Sequence, residues 1–130
     1  MADYTPVYTP GTAMTCTASA TVTGGQLVAV SGDGTVGPAA ADSLKVVGVA
    51  AYDAAANGRV TVWPRGQVHE VTATGAVTAG DILVAATAGT VKTLAVVTTP
   101  TAADVNGARA MLGIALTTAA DAAAVRYVAL

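Results

Sequence analysis

The chain has 130 residues and a formal net charge of −2, and only 11% of its residues are charged. A chain of this length fits one compact domain. The slightly acidic balance disfavours nucleic acid and anionic membrane surfaces as partners, and no run of about 18 apolar residues predicts a membrane span. Because a monomer normally displays more charge, part of the surface is expected to be covered by other copies or partners.

The N-terminal residues 1–16 predict an extended arm that precedes a single β domain at residues 17–130. The two prolines of the arm remove backbone donors and disfavour helix. Its aromatic and apolar side chains cannot be buried by so short a segment, so they are expected to dock on a neighbour; the alternative is a frayed terminus. The predicted partner-binding residues of the arm are Tyr4, Pro6, Val7, Tyr8 and Pro10.

The composition favours β structure, because the apolar residues are mostly Ala and Val and there is no Phe. A strand-and-turn unit occurs twice, as "VTGGQLVAVSGDGTV" from Val22 and "VTAGDILVAATAGTV" from Val77. The two copies align without a gap at an offset of 55 residues. Glycines at both ends of each unit are expected to take the positive φ of tight turns. These glycines are Gly25, Gly80, Gly34 and Gly89.

A second pair of similar segments starts at Val47 and Leu112, at an offset of 65 residues between Gly48 and Gly113. The ten additional residues lie between the copies, around "TTPTAADVNGARA". Two copies are too few for a solenoid. The sequence therefore predicts an all-β fold, a small closed barrel or sandwich with an internal pseudo-twofold duplication.

Local signals predict the remaining elements. Asn57-Gly58 marks a turn before a half-buried strand that Pro64 ends. One-turn helices are expected near 39–43 and 101–105, each beside a proline. In "RGQVHEV" we expect Arg65, Gln67 and His69 to lie on one solvent-exposed face of a strand, with Glu70 as a surface partner.

The sequence offers little that could perform chemistry. Cys16 and His69 are the only residues of their types, so neither an intrachain disulfide nor a site with several histidine ligands is possible. A nucleophilic pair of the two would have no third member. The glycine turns lack the Lys-Ser/Thr of a phosphate loop. Neither catalysis nor a cofactor or metal is expected.

The order of the glycine-led motifs resembles that of the small capsid cement or decoration proteins of tailed bacteriophages. The motifs are "TASATVTGGQLVAVSGDGTV", "VVGVAAYDAAANGRVTVWPRGQVHEVTATGAVTAGDILV" and "LGIALTTAADAAAVRYVAL", and the resemblance covers residues 10 to 130. It implies a non-enzymatic structural protein of the virion, usually a homotrimer. Such a protein is made and assembled in the host cytoplasm, binds the major capsid protein on the outer surface of the assembled head and braces the head against DNA pressure.

An alternative is a carbohydrate- or surface-binding β module, such as a fragment of a fibre or an adhesin. Four Tyr and one Trp are few for stacking on sugars, which weakens this alternative.

Overall fold

The computed structural model describes residues 11–130, so every predicted partner-binding residue from Tyr4 to Pro10 lies outside it. The described part is mostly β, as predicted. Its strands are β1 Met14–Ala18, β2 Leu27–Gly32, β3 Thr35–Pro38, β4 Val46–Ala50, β5 Arg59–Pro64, β6 Val68–Thr72, β7 Ile82–Ala85, β8 Val91–Thr93, β9 Gly113–Ala115 and β10 Ala124–Ala129. A 3-10 turn, Thr87–Gly89, and one helix, α1 Ala102–Ala108, complete the elements of this range.

The first five strands form a closed barrel in the order β1-β3-β2-β4-β5. The barrel closes because β1 pairs in parallel with β3 and antiparallel with β5. In β5 the buried Val60 and Val62 alternate with the more exposed Arg59, Thr61 and Trp63, as the sequence predicted. The barrel core consists of small side chains: Ala18, Val22, Val28, Val36, Ala50, Ala54, Val60 and Val62.

The last five strands form a second sheet in the order β6-β10-β9-β7-β8. Its edge strands approach each other through a single parallel bridge between Ala73 and Val91. The side chains on the inner face of this sheet belong to a larger hydrophobic cluster, which also includes Leu27 and Val49 of the barrel. The two halves are therefore joined by continuous apolar packing.

The strand pairings of the barrel recur in the second sheet. A residue of the barrel corresponds to the residue 55 positions later when that residue precedes the insertion, and to the residue 65 positions later when it follows the insertion. For example, the antiparallel pair Leu27–Val49 is matched by Ile82–Ile114. Further matches are Val22–Ala54 with Val77–Ala119, and Ala18–Val36 with Ala73–Val91. Both halves thus share one pattern of pairing, whereas the pseudo-twofold axis between them stays a prediction.

The contact between the halves is centred on the 3-10 turn. The Gly89 N–H donates to the carbonyl of Ala39 at 3.0 Å, and the Gln26 side-chain amide donates to the carbonyl of Ala88 at 3.0 Å. A Cβ at Gly89 would lie 2.8 Å from the carbonyl oxygen of Leu27, and Gly89 has a φ of 69°. Glycine is required here both by the backbone conformation and by the close approach.

Helix α1 lies where the sequence predicted one, in the insertion of the second half. Thr101 and Asp104 form a capping box, and the backbone and hydroxyl hydrogen bonds from Thr101 lower the pKa of Asp104. The helix predicted near 39–43 is wrong. Asp42 has a φ of 58° there, and its N–H donates to the carbonyl of Ala85, so the segment bends towards the second sheet. Within residues 11–130, no helix is long and apolar enough to cross a membrane.

Candidate functional site

The prediction that Arg65, Gln67 and His69 of "RGQVHEV" form a solvent-exposed face is wrong, because the strand presents its opposite face to solvent. Val68 is 57% exposed and Glu70 is exposed, whereas Gln67 and His69 are half-buried. The register explains the difference: His69 lies opposite Tyr127, which is only 2% exposed and belongs to the core. Alternation along a strand then turns the odd-numbered residues inwards.

Arg65 has a structural role next to this strand. Its Nε donates to the Leu130 carbonyl at 3.0 Å, and its Nη2 donates to the Met111 carbonyl at 2.7 Å. These bonds tie the link between the two sheets to the last strand and to the end of the insertion. Burial raises the pKa of Tyr127 to about 12, although the positive charge of Arg65 lowers it in part.

The structure does not bring Cys16 and His69 together as a catalytic pair. Cys16 lies in β1 and packs against the barrel core, where burial raises the pKa of its thiol and so disfavours the thiolate. His69 lies in the second sheet, and its Nε2 donates to the Pro64 carbonyl at 2.9 Å. Across the described range, no three His, Cys, Asp or Glu side chains cluster in a way that could hold a metal ion.

The most distinctive surface of the described protein is a row of aliphatic side chains on the outer face of the second sheet. Its members are register neighbours on β6, β10, β9 and β7 and at the end of β8. We call this set the outer row: Val68, Val128, Ile114, Ile82 and Leu94. Val68 is 57% exposed and Ile82 is 39% exposed. Side chains of this kind across a whole sheet mark a surface suited to contact another macromolecule.

The barrel presents two exposed aromatic side chains near each other on the face of β5. Trp63 is 40% exposed and Tyr52 is 52% exposed. The Tyr52 hydroxyl hydrogen-bonds the Thr61 hydroxyl at 2.8 Å, which places it beside the strand position two residues before Trp63. Aromatic groups in such an arrangement can pack on a flat partner surface or stack on a sugar ring.

A groove of about 930 Å³ lies between α1 and the second sheet. Its apolar lining includes Leu94 and Val97, which follow β8, Val105 of α1, and Leu44 of the first half. None of the residues of α1 is buried, so the helix covers the sheet only loosely. The insertion therefore adds surface to the second half more than it adds core.

Together these features define a class of protein: a small two-sheet β protein with a closed barrel and exposed aliphatic and aromatic side chains. The family follows from the sequence as a whole. A family model described as "Phage cement protein" matches residues 8–130, and the chain belongs to this phage cement protein family. It is thus a structural protein of the phage virion that associates with the capsid.

The fold also resembles that of a solved phage structure, the N base of the head fibre gp8.5 of bacteriophage phi29. The TM-score is 0.65 at 22% sequence identity, and the match covers 92% of this chain and 93% of the other. At this identity the likeness concerns the fold. A search among curated proteins found no match.

Sequence reasoning placed the functional residues in the arm and missed the outer row. The members of the row come from five separate segments, so no single stretch of sequence reveals them. Aligning the two copies does not reveal them either, because Ile82 and Ile114 stand where the first copy has the buried Leu27 and Val49.

Proposed function

We propose that this protein is a capsid cement protein without enzymatic activity, which binds the outer surface of the assembled phage head as a homotrimer and stabilises it. Family membership over residues 8–130 is the observation that carries this proposal. The major capsid protein is the proposed partner. Under this proposal, the capsid shell first forms in the host cytoplasm, and the protein then binds the outer surface of the assembled head.

The architecture supports a role as a brace. The closed barrel has no free edge strands, and the halves are held together by hydrogen bonds around Gly89 as well as by continuous apolar packing. A rigid body loses little conformational entropy on binding, so more of its contact energy remains available to hold the shell. A trimer would add avidity, since the first contact raises the effective concentration of the other two.

A sedimentation experiment tests the proposal directly. Heads of the cognate phage assembled without this protein are mixed with the purified full chain, and bound protein is measured in the pelleted heads. Heads that already carry the protein serve as the control, because their sites are occupied. We expect saturable binding to the bare heads and a higher temperature of DNA release after binding. Absence of binding, or binding without any change in DNA release, would refute the cement role.

The exposed pair Trp63 and Tyr52 favours a second candidate, a carbohydrate- or surface-binding module. Indole fluorescence gives a simple test, because Trp63 is the only tryptophan of the chain. Titration with host-surface glycans should shift the emission of Trp63 if a sugar stacks on it, and Tyr52→Ala should weaken that shift. An unchanged spectrum up to millimolar glycan would leave the cement role as the proposal.

A further inference from the structure

Both asparagines of the chain precede a glycine, as Asn57-Gly58 and Asn106-Gly107. Asn-Gly is the dipeptide most prone to spontaneous deamidation, because glycine has no Cβ to obstruct the attack of its backbone nitrogen on the asparagine side chain. Both asparagines are exposed. The two sites therefore carry the same reacting groups, and the structure around each one decides whether the reaction proceeds.

The backbone of Asn57-Gly58 is held by three hydrogen bonds of the barrel. The Asn57 N–H donates to the Ala18 carbonyl at 2.7 Å, and the Ala18 N–H donates to the Gly58 carbonyl at 2.8 Å. The Gly58 N–H, which carries the attacking nitrogen, donates to the Ala55 carbonyl at 2.9 Å. Ala18 is fully buried in the barrel core. This turn can therefore change its conformation only when the barrel itself opens.

Asn106 and Gly107 lie instead in α1, a helix that packing does not hold in place. It has seven residues and none of them is buried, and the capping box of Thr101 and Asp104 fastens only its first turn. Helices of this length are marginal in water, and a glycine inside one lowers its stability further. A Cβ at Gly107 would meet nothing within 4 Å, so the space around this residue is open. The helix can thus open locally while the strand pairings of both halves stay intact.

We propose that Asn106 is a site of spontaneous deamidation in the folded protein, whereas the barrel protects Asn57. In the reaction, hydroxide removes the proton of the Gly107 amide, and the nitrogen attacks Cγ of Asn106. The side-chain amino group takes a proton from water and leaves as ammonia, and a cyclic succinimide remains. One water molecule then opens the ring at either carbonyl, which gives aspartate or isoaspartate.

Either product weakens α1. Asn106 lies in the last turn of the helix, where the helix dipole disfavours the new negative charge. Isoaspartate also adds a methylene group to the backbone, which breaks the regular spacing of the helical hydrogen bonds. Asn106 lines the groove between α1 and the second sheet, so the reaction alters that surface as well. Because a virion protein is not renewed after assembly, modified copies accumulate as the particle ages.

The test is to incubate the folded full chain at mildly alkaline pH in heavy-oxygen water, which labels only the residues that deamidate during the incubation. Digestion at acidic pH and mass spectrometry then locate the label. The same incubation in denaturant gives the intrinsic rate of each dipeptide. In denaturant we expect the two rates to agree within about twofold, whereas in the folded protein Asn106 should react at least about tenfold faster than Asn57.

Two variants provide matched comparisons. Gly107→Ala favours the helix and places a Cβ beside the attacking nitrogen, so the labelling of Asn106 should fall by about tenfold or more. Asn57→Ala is the control and should leave the labelling of Asn106 unchanged. Its turn should form normally, because Ala122 has a φ of 64° at the equivalent position of the second half, against 67° for Asn57.

Amide hydrogen exchange reports the effect on the helix. Exchange of residues 102–108 should be faster in the modified protein than in fresh protein, with the strands unchanged, and Asn106→Asp should show part of this effect. Equal or faster labelling of Asn57 in the folded protein would overturn the inference, as would labelling of Asn106 in denaturant alone. Unchanged exchange of α1 in fully modified protein would overturn the stated effect on the helix.

Discussion

Gln26 and Asp81 occupy the same place in the two halves and perform the same task in their turns. Gln26 Oε1 accepts the N–H of Thr23 at 2.8 Å, and Asp81 Oδ2 accepts the N–H of Thr78 at 3.0 Å. Each bond closes the tight turn that leads into the following strand. The two side chains differ in length and charge, yet either can provide the acceptor oxygen.

This equivalence predicts how substitutions at Gln26 behave. Gln26→Ala removes both the turn bond and the bond to the Ala88 carbonyl, and should lower the free energy of unfolding by about 1–2 kcal/mol. Gln26→Asp should restore the turn bond alone, as Asp81 does, and recover roughly half of that loss. Chemical denaturation measures both values. Equal losses in the two variants would show that the turn bond contributes nothing.

Gly48 and Gly113 are predicted to be the glycines that tolerate substitution least. A Cβ at Gly48 would overlap the carbonyl oxygen of Trp63, and a Cβ at Gly113 would overlap that of Val128. Neither backbone oxygen can move without breaking a strand pairing, so Gly→Ala at either site should cost about 3 kcal/mol or more. The control is Gly107→Ala in α1, where a Cβ meets nothing within 4 Å. Thermal unfolding should show a large loss for the first two variants and none for the control.

The buried phenol of Tyr127 predicts a loss of stability at alkaline pH. Its pKa is raised from 10.0 to about 12, mainly by burial, so the folded state holds this proton more tightly than the unfolded state. The stabilisation is therefore complete below pH 10 and is lost as the pH rises towards 12, by roughly 2–3 kcal/mol in total. Tyr127→Phe should flatten the unfolding free energy over this range. An equally steep decline in Tyr127→Phe would assign the loss to other groups.

The positive charge of Arg65 gives a second test of the same environment. Because it lowers the pKa of Tyr127, Arg65→Gln should raise that pKa further. Tyrosinate absorbance followed against pH reports this as a later final ionisation step. An unchanged final step would mean that burial alone sets the pKa.

The features that the sequence predicted well are local ones. Gly25 and Gly80 have φ values of 88° and 95°, as expected for glycines that open a strand through a tight turn. The pattern of the repeats also indicated an all-β fold, either a small closed barrel or a sandwich. These features depend on neighbouring residues along the chain, and such residues can be read from a single sequence.

Features that depend on how strands meet were predicted poorly or not at all. His69 turned inwards because its partner in the register is Tyr127, and no feature of β6 alone shows that partner. Leu27 and Ile82 look alike in sequence, yet one is fully buried and the other is 39% exposed. The difference arises because Leu27 belongs to the hydrophobic cluster that it shares with the second sheet, whereas Ile82 lies on the outer face of that sheet.

The arm remains the candidate for head binding, and its deletion is the last prediction. Removing residues 2–10 leaves all strand pairings of the described protein in place, since β1 begins at Met14. The melting temperature and the assembly state should therefore stay near those of the full chain. Head binding should weaken at least about tenfold, because the aromatic contacts of Tyr4 and Tyr8 would be lost. Tyr4→Ala with Tyr8→Ala should reproduce most of this loss, whereas a truncated protein that decorates heads with unchanged affinity would show that the arm is a frayed terminus.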